Sequence, residues 1–331
     1  MPTVMIVPEM MREIPAPYVD VLKEAGFDVA YPKTPTLARN RCGVEDIIAN
    51  LRDADATIAS TESYSAEVLA GLPKLRVIAR SGVGYDRVDV PAATEHNIAV
   101  TITPTANHDA VAELTLALLF ATSKEIVSYD KRVRGGDWSR QPPLPVRGKT
   151  LGIFGLGRIG SSLAVRAIAL GMQVIATEKF PNDEFVRSHQ IELVEFGDLL
   201  QRSDYLSVHA PLNEATRGIF NKDAFAQMKQ GSIFLNTSRG PLMVEAELLE
   251  ALRSGPLRAA GLDVFEQEPP SPENPLFQLG NVVLTPHIAG LDETSIVAMG
   301  VEAAQCIVAL FRGDWPDGAV VNEALRGQFR W

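Results

Sequence analysis

Leu151-Gly152-Ile153-Phe154-Gly155-Leu156-Gly157-Arg158-Ile159-Gly160 is the stretch on which the fold turns. Gly155, Gly157 and Gly160 make a complete G-x-G-x-x-G, a pattern that is weak alone because glycine turns are common in loops. Its surroundings make it specific. Leu151–Phe154 reads as a buried strand, and a helix follows with apolar residues at Ile159, Leu163, Ala167 and Leu170 and a Gly171 stop. Met172–Thr177 then reads as a second strand and ends on Glu178, 18 residues past Gly160. Strand, glycine turn, helix, strand and acid are the parts of a dinucleotide site. The glycines let the backbone approach a pyrophosphate, the helix N-terminus faces its charge, and the acid receives the ribose hydroxyls. Arg158 and Ile159 would sit at that helix start. Glu178 would repel a 2′-phosphate and favours NAD (NADH) over NADP, with Lys179 pulling the other way.

Outward from this stretch, further strands at YLSVHA, SIFLN, AAGLDV and NVVLT alternate with helical segments such as Val244–Arg253, the grammar of a parallel α/β sheet. A shorter series precedes it, with strands at Val4–Val7, Asp28–Tyr31, Ala56–Ser60, Leu75–Arg80 and Ile98–Thr101. A single long helix is expected from about Asp109 to Arg134, ending in a Gly/Pro-rich stretch. Ser295–Arg312 is expected to be a last helix that packs back on the first series. With 331 residues and ~150 per domain, two domains are expected. The formal net charge of -10 and pI near 5.1 speak against nucleic acid or anionic membrane as partners, so an anionic substrate must be held by locally placed cations. The two cysteines, Cys42 and Cys306, have neither metal-ligand nor redox spacing and fit a reducing cytoplasm. The N-terminus shows no leader pattern, and Ala110–Thr122 is too short to span a bilayer.

In open α/β sheets ligands bind beyond the carboxyl ends of the strands. His209-Ala210-Pro211, Asn236-Thr237-Ser238-Arg239-Gly240, Asp263 and Pro286-His287-Ile288-Ala289-Gly290 all follow strands. Reduction of a 2-keto acid needs a cation for the carboxylate and carbonyl, a proton donor and a hydride source. Arg239 suits the first and His287 the second, and Glu268 in VFEQEPP would raise the histidine's pKa and fix its tautomer. Taken singly, each has a bland alternative as a helix cap, a solvated loop acid or a strand-end histidine. Their joint placement at strand ends favours chemistry. The five histidines, His96, His108, His189, His209 and His287, are scattered without ligand spacing, so no metal is expected. Ser81 lies in Ala79-Arg80-Ser81-Gly82-Val83, which lacks the first glycine of a hydrolase elbow.

RSGVGYDRVD, NHDAVAELTLAL, LGIFGLGRIG, HAPLNEATRGIF, FLNTSRG, GLDVFEQEP and LTPHIAG, in this order, resemble the D-isomer-specific 2-hydroxyacid dehydrogenase family over nearly the whole chain. The resemblance implies a Rossmann doubly wound coenzyme domain, 105–295, inserted into a flavodoxin-like α/β substrate domain, 1–104 plus 296–331, across a cleft that closes. It implies a catalytic Arg239, Glu268 and His287, with Asp263 meeting the nicotinamide amide. The cofactor set becomes Gly155, Gly157, Arg158, Ile159, Gly160, Glu178, His209, Ala210, Pro211, Thr216, Thr237, Ser238, Asp263, His287 and Gly290. On the substrate side it implies backbone N–H groups from Ser81 to Gly84, which also suit a glycine-lined anion nest, with Ser81, Val83 and Gly84 joined by Arg80, Asn107 and Arg239. A homodimer through the Ala110–Thr122 helix and the following arm is likewise implied.

Two departures bear on substrate. Phosphoglycerate dehydrogenases tend to carry a basic residue after the third strand, where this chain reads Ser60-Thr61-Glu62-Ser63-Tyr64, so a phosphate would meet Glu62. No regulatory domain follows Trp331, so serine feedback is not expected. A small unphosphorylated acid such as hydroxypyruvate or glyoxylate is therefore expected. Alternatives are D-3-phosphoglycerate, a formate-dehydrogenase-like enzyme, which resembles a Gln-His pairing instead, and an NAD-sensing corepressor acting as a binding module.

Overall fold

A computed structural model describes residues 1–12, 16–34, 37 and 42–331. The chain forms two compact units, Met1–Asn107 with Gly290–Trp331, and His108–Ala289. The first unit contains β1 Thr3–Ile6, α1 Pro17–Glu24, β2 Asp28–Ala30, α2 Val44–Leu51, β3 Ala56–Ala59, α3 Ala66–Ala70, β4 Val77–Arg80, α4 Val90–Glu95 and β5 Ala99–Thr101. The second runs through α5 His108–Ser123, α6 Ile126–Arg134, β6 Thr150–Phe154, α7 Arg158–Ala169, β7 Gln173–Thr177, α8 Asp183–Ser188, β8 Glu192–Leu193, α9 Phe196–Arg202, β9 Tyr205–Val208, α10 Lys222–Gln227, β10 Ser232–Asn236, α11 Glu245–Arg253, β11 Leu257–Leu262 and β12 Val282–Leu284. The chain then returns to the first unit with α12 Glu293–Arg312.

Both sheets are parallel. The first has strand order β2-β1-β3-β4-β5, the flavodoxin-like arrangement. The second, β12-β11-β10-β9-β6-β7-β8, is the doubly wound dinucleotide-binding order with one strand added at the end. Its order reverses at β6, whose carboxyl end carries the glycine turn. Strands covered on both faces bury every side chain, which is why they read as continuous apolar runs. Neighbouring Ile153 and Phe154 point to opposite faces, Ile153 into a core with Leu163 and Leu235, Phe154 into one with Phe220 and Phe234.

In the first unit α1 and α12 cover one face through Tyr18, Leu22, Ile296, Met299 and Ile307. α12 is apolar and long enough to cross a bilayer by composition, and here it is a core helix, capped by Asp292 on Ser295 N (2.6 Å) and stopped by Gly313 at φ 86°. The single helix expected from Asp109 to Arg134 is two. Glu125 adopts a left-handed conformation at φ 53°, and its carboxylate pairs with Arg258 of β11 at 2.8 Å. The break separates α5, buried along most of its length, from α6, which has no buried residue.

Candidate active site

The glycine turn is built for close backbone approach. Gly155 has φ 99°, and a Cβ there would meet the backbone of Ala210 and His209 at 2.6 to 2.9 Å. A Cβ on Gly160 would collide with the Gly155 carbonyl, so α7 can sit against the turn only without one. Gly157, the N-cap of α7, is exposed with open space where a Cβ would be, and no side chain caps the helix. Unlike α12, α7 therefore leaves its first N–H groups uncovered at Arg158, Ile159 and Gly160 for an anion. Arg158 is exposed and Ile159 partly so.

Glu178 stands at the end of β7, its Oε2 accepting from Leu156 N (2.6 Å) and its Oε1 from Phe180 N (2.9 Å). The acid is thus fixed beside the turn. Lys179 lies over the Phe180 ring, its Nζ 5.3 Å from the centroid. These residues fit a nicotinamide dinucleotide: an open helix start, a turn that excludes Cβ atoms and an acid held at the neighbouring strand end.

After β9, His209 Nε2 lies 2.8 Å from Ser207 Oγ, and its sealed Nδ1 has no partner among the described residues. Burial pushes its pKa down to about 3, so the imidazole is neutral. Pro211 O accepts from Thr216 Oγ1 (2.7 Å), which closes the 211–216 loop, and Ala210 O accepts from Ser238 Oγ (2.7 Å). Thr237 is buried with its hydroxyl 2.9 Å from that of Thr115 on α5. Arg239 leaves the same turn. Its Nη1 donates to Ser238 O at 2.7 Å.

Three adjacent strand ends bring the expected catalytic groups together in the second unit. His287 Nδ1 lies 2.7 Å from Glu268 Oε2, and Glu268 Oε1 accepts from Phe265 N (3.0 Å). Burial alone would push the Glu268 carboxyl up. The hydrogen bond and charge of His287, the Phe265 amide and the Arg239 charge outweigh it and hold the carboxyl below its usual range. His287 itself has φ 55°, uncommon for a residue with a Cβ. Asp263, fully buried, accounts for that conformation. Its Oδ1 accepts from Thr285 Oγ1 (2.5 Å) and Ile288 N (2.9 Å), its Oδ2 from Ala289 N (2.9 Å), and its carbonyl from His287 N (2.9 Å).

In the first unit Ser81 N and Oγ both donate to Ala59 O, at 3.0 and 2.8 Å, and Gly82 N donates to Thr103 Oγ1 at 2.8 Å. Of the amides expected to face an anion, those of Val83 and Gly84 make no bond to the described residues. Arg80 is 8% exposed and its Nε donates to Gly84 O at 3.0 Å, so it shapes the loop. Glu62, expected as a charge that a phosphate would meet, is only 1% exposed and turned inward. That expectation fails because Ser60 N and Tyr64 OH hold its carboxylate inside. Asn107 is buried, its Oδ1 unpartnered among the described residues, and a Cβ on Gly290 would lie 2.7 Å from Asn107 Nδ2, so this pair packs as glycine on amide.

Sequence reading missed the groups that hold these side chains in place. Asn236 clamps the Arg239 turn, accepting from Ser238 N (3.0 Å) and donating to Arg239 O (2.9 Å). Thr285 and Ser207 serve Asp263 and His209 in the same way. An Asn at a strand end, two residues before a serine, is a recognisable turn signal and could have identified the first. No group of side chains able to hold a metal occurs among the described residues.

Residues 116–289 match the profile of the D-isomer specific 2-hydroxyacid dehydrogenase, NAD binding domain. The chain belongs to that family. D-3-phosphoglycerate dehydrogenase of Mycobacterium leprae is 41% identical over 288 residues, 84% of this chain and 54% of that protein. Glyoxylate reductase of Thermofilum pendens is 37% identical over 325 residues, 95% of this chain and 94% of that protein. This family member thus spans about half the length of the phosphoglycerate dehydrogenases it matches, at 54% and 55%, and nearly all of that glyoxylate reductase. Among solved structures, the TT0316 protein of Thermus thermophilus superposes with a TM-score of 0.84 at 34% identity, covering 96% of this chain and 100% of that one.

Proposed function

We propose that this protein is an NAD-dependent oxidoreductase that interconverts a small D-2-hydroxy acid and its 2-keto acid, with a hydroxypyruvate- or glyoxylate-like substrate. The observation that carries the reading is the Glu268–His287 pair, with the Arg239 charge felt at Glu268, at the carboxyl edge of a dinucleotide-binding sheet. The nicotinamide, when bound, supplies or accepts the hydride. With Nδ1 committed to Glu268, the imidazolium has Nε2 left to give its proton to the 2-keto oxygen. Glu268 favours the charged imidazole and fixes its tautomer. Arg239 holds the carboxylate and polarises the carbonyl.

In this reading His108–Ala289 binds the dinucleotide, through the cofactor residues named above together with Gly290. The first unit is the substrate domain, and its Arg80, Ser81, Val83, Gly84 and Asn107 serve the substrate. A homodimer is supported by apolar side chains that α6 and the arm leave in solvent, Ile126 and Val127 at 56% and Trp138 at 76% exposure. Two free cysteines suit the cytoplasm. Neither nucleic acid nor membrane is expected as a partner. The test is NADH oxidation with hydroxypyruvate, glyoxylate and 3-phosphohydroxypyruvate, with His287→Ala as control. Turnover of the unphosphorylated acids, lowered about 10²- to 10⁴-fold in the variant with NADH affinity kept, is expected. NADH binding without turnover of any acid would instead favour a binding module.

A further inference from the structure

Glu62 and Arg80 are the only buried charged side chains among the described residues of the first unit. Glu62 lies three residues past the end of β3 and Arg80 is the last residue of β4, two neighbouring strands that pair with Ala59 opposite Arg80, and β3 borders the point where this sheet's strand order reverses. That edge is where an open α/β sheet takes its ligand. The groups bonded to Glu62 are donors: Ser60 N lies 3.1 and 3.0 Å from its two oxygens and Tyr64 OH 2.9 Å from Oε1. Tyr64 is in turn 3.0 Å from Thr57 Oγ1. Two donors on its oxygens suit a carboxylate. Burial pushes the Glu62 carboxyl above its usual range, and the charge of Arg80 is the largest influence working against that push. A guanidinium cannot discharge itself by losing a proton, so its burial calls for a compensating anion, and Glu62 supplies one.

We propose that the Glu62–Arg80 pair determines substrate specificity: Glu62 cancels the charge of Arg80 and steadies its clasp on Gly84, so that the loop presents the Val83 and Gly84 amides to one carboxylate and offers no cation for a phosphate. Glu62 works through Arg80, without meeting the substrate itself, and is a positioning residue. The inference rests on the oxidoreductase reading above and adds the basis of its substrate class.

The decisive variant is Glu62→Gln, which keeps an oxygen for Ser60 and Tyr64 and removes the charge. In it the ratio of kcat/KM for 3-phosphohydroxypyruvate to that for hydroxypyruvate should rise at least about tenfold, mainly through KM, since one uncompensated charge near a dianion is a change of that order. Glu62→Asp, which keeps the charge, should hold the wild-type ratio. An unchanged ratio in folded Glu62→Gln overturns the proposal. Inorganic phosphate supplies a readout without turnover: it should raise the Tm of Glu62→Gln and not of the wild type. That shift in a protein that turns over no acid would count against the oxidoreductase reading alone, and its absence would count against the pair. Should Glu62→Gln not fold, Arg80→Lys carries the test, because a lysine lacks the Nε–H that grips Gly84. KM should then rise for every acid with kcat nearly kept, and an unchanged KM overturns the clasp.

Discussion

Asp263 dictates the backbone of His287 without a bond to its ring. Its carboxylate accepts from Thr285, Ile288 and Ala289 on both sides of the histidine, and its carbonyl accepts His287 N at 2.9 Å. An otherwise disfavoured conformation at φ 55° is thereby fixed, and the ring is delivered to Glu268. The residue whose resemblance-based role is to meet the nicotinamide amide is, by its bonds within the protein, the anchor of the histidine loop.

Asp263→Asn should therefore damage the loop before it affects cofactor affinity. An amide nitrogen would face donors on one side of the buried group, which costs about 2 to 4 kcal/mol where no acceptor is available. Chemical denaturation should show the loss, and kcat for keto-acid reduction should fall by at least about tenfold with a smaller change in NADH Kd. A variant with normal kcat would show that the loop holds without the carboxylate.

Glu268→Gln tests the proton donor. Reduction needs the imidazolium, and the Glu268 carboxylate, kept ionised by its partners, is the anion that favours it. With that anion gone, the ring loses the partner at Nδ1 that orients it, and kcat for reduction should fall at least about tenfold with NADH Kd nearly kept. The pH dependence of stability should change as well: a depressed carboxyl stabilises above its unfolded value and loses that contribution as pH falls, so the variant should lose less stability on acidification than the wild type does. An unchanged kcat would remove Glu268 from the proton step.

Glu178→Gln separates two roles of one residue. The amide oxygen can still accept from Leu156 N or Phe180 N, so the turn is kept while the charge that opposes a 2′-phosphate is removed. The NAD over NADP preference in kcat/KM should narrow by about tenfold, with Tm little changed. An unaltered preference would mean that the discrimination comes from elsewhere around the ribose.

The sequence made the inner strands of the second unit readable because they are buried on both faces and leave uninterrupted apolar runs. The strand-end residues were legible for the same reason. What stayed hidden was which partner each polar residue takes. Glu62 read as a charge standing where a substrate phosphate would go, since nothing in Ser60-Thr61-Glu62-Ser63-Tyr64 says that the chain turns the acid inward onto Ser60 N and Tyr64 OH. The break at Glu125 was hidden too, because the left-handed backbone there and the bond to Arg258, far along the chain, leave no local sequence signal.

His209 provides a measurement on the intact protein. Its neutral ring is sealed at Nδ1 and burial keeps its pKa near 3, whereas an unfolded chain takes up a proton near the ordinary value of 6.5. Between those values the unfolded state binds more protons, so this residue withdraws stability as pH falls through 6.5 towards 3. By pH 5 the withdrawal relative to pH 7 amounts to about 1 to 2 kcal/mol. His209→Asn has no proton to take up and can still bond Ser207, so its unfolding free energy, whatever its value at pH 7, should fall less steeply on acidification. Parallel slopes for the two proteins in urea titrations at pH 7, 6 and 5 would show that the histidine is protonated in the folded state and that its burial is incomplete.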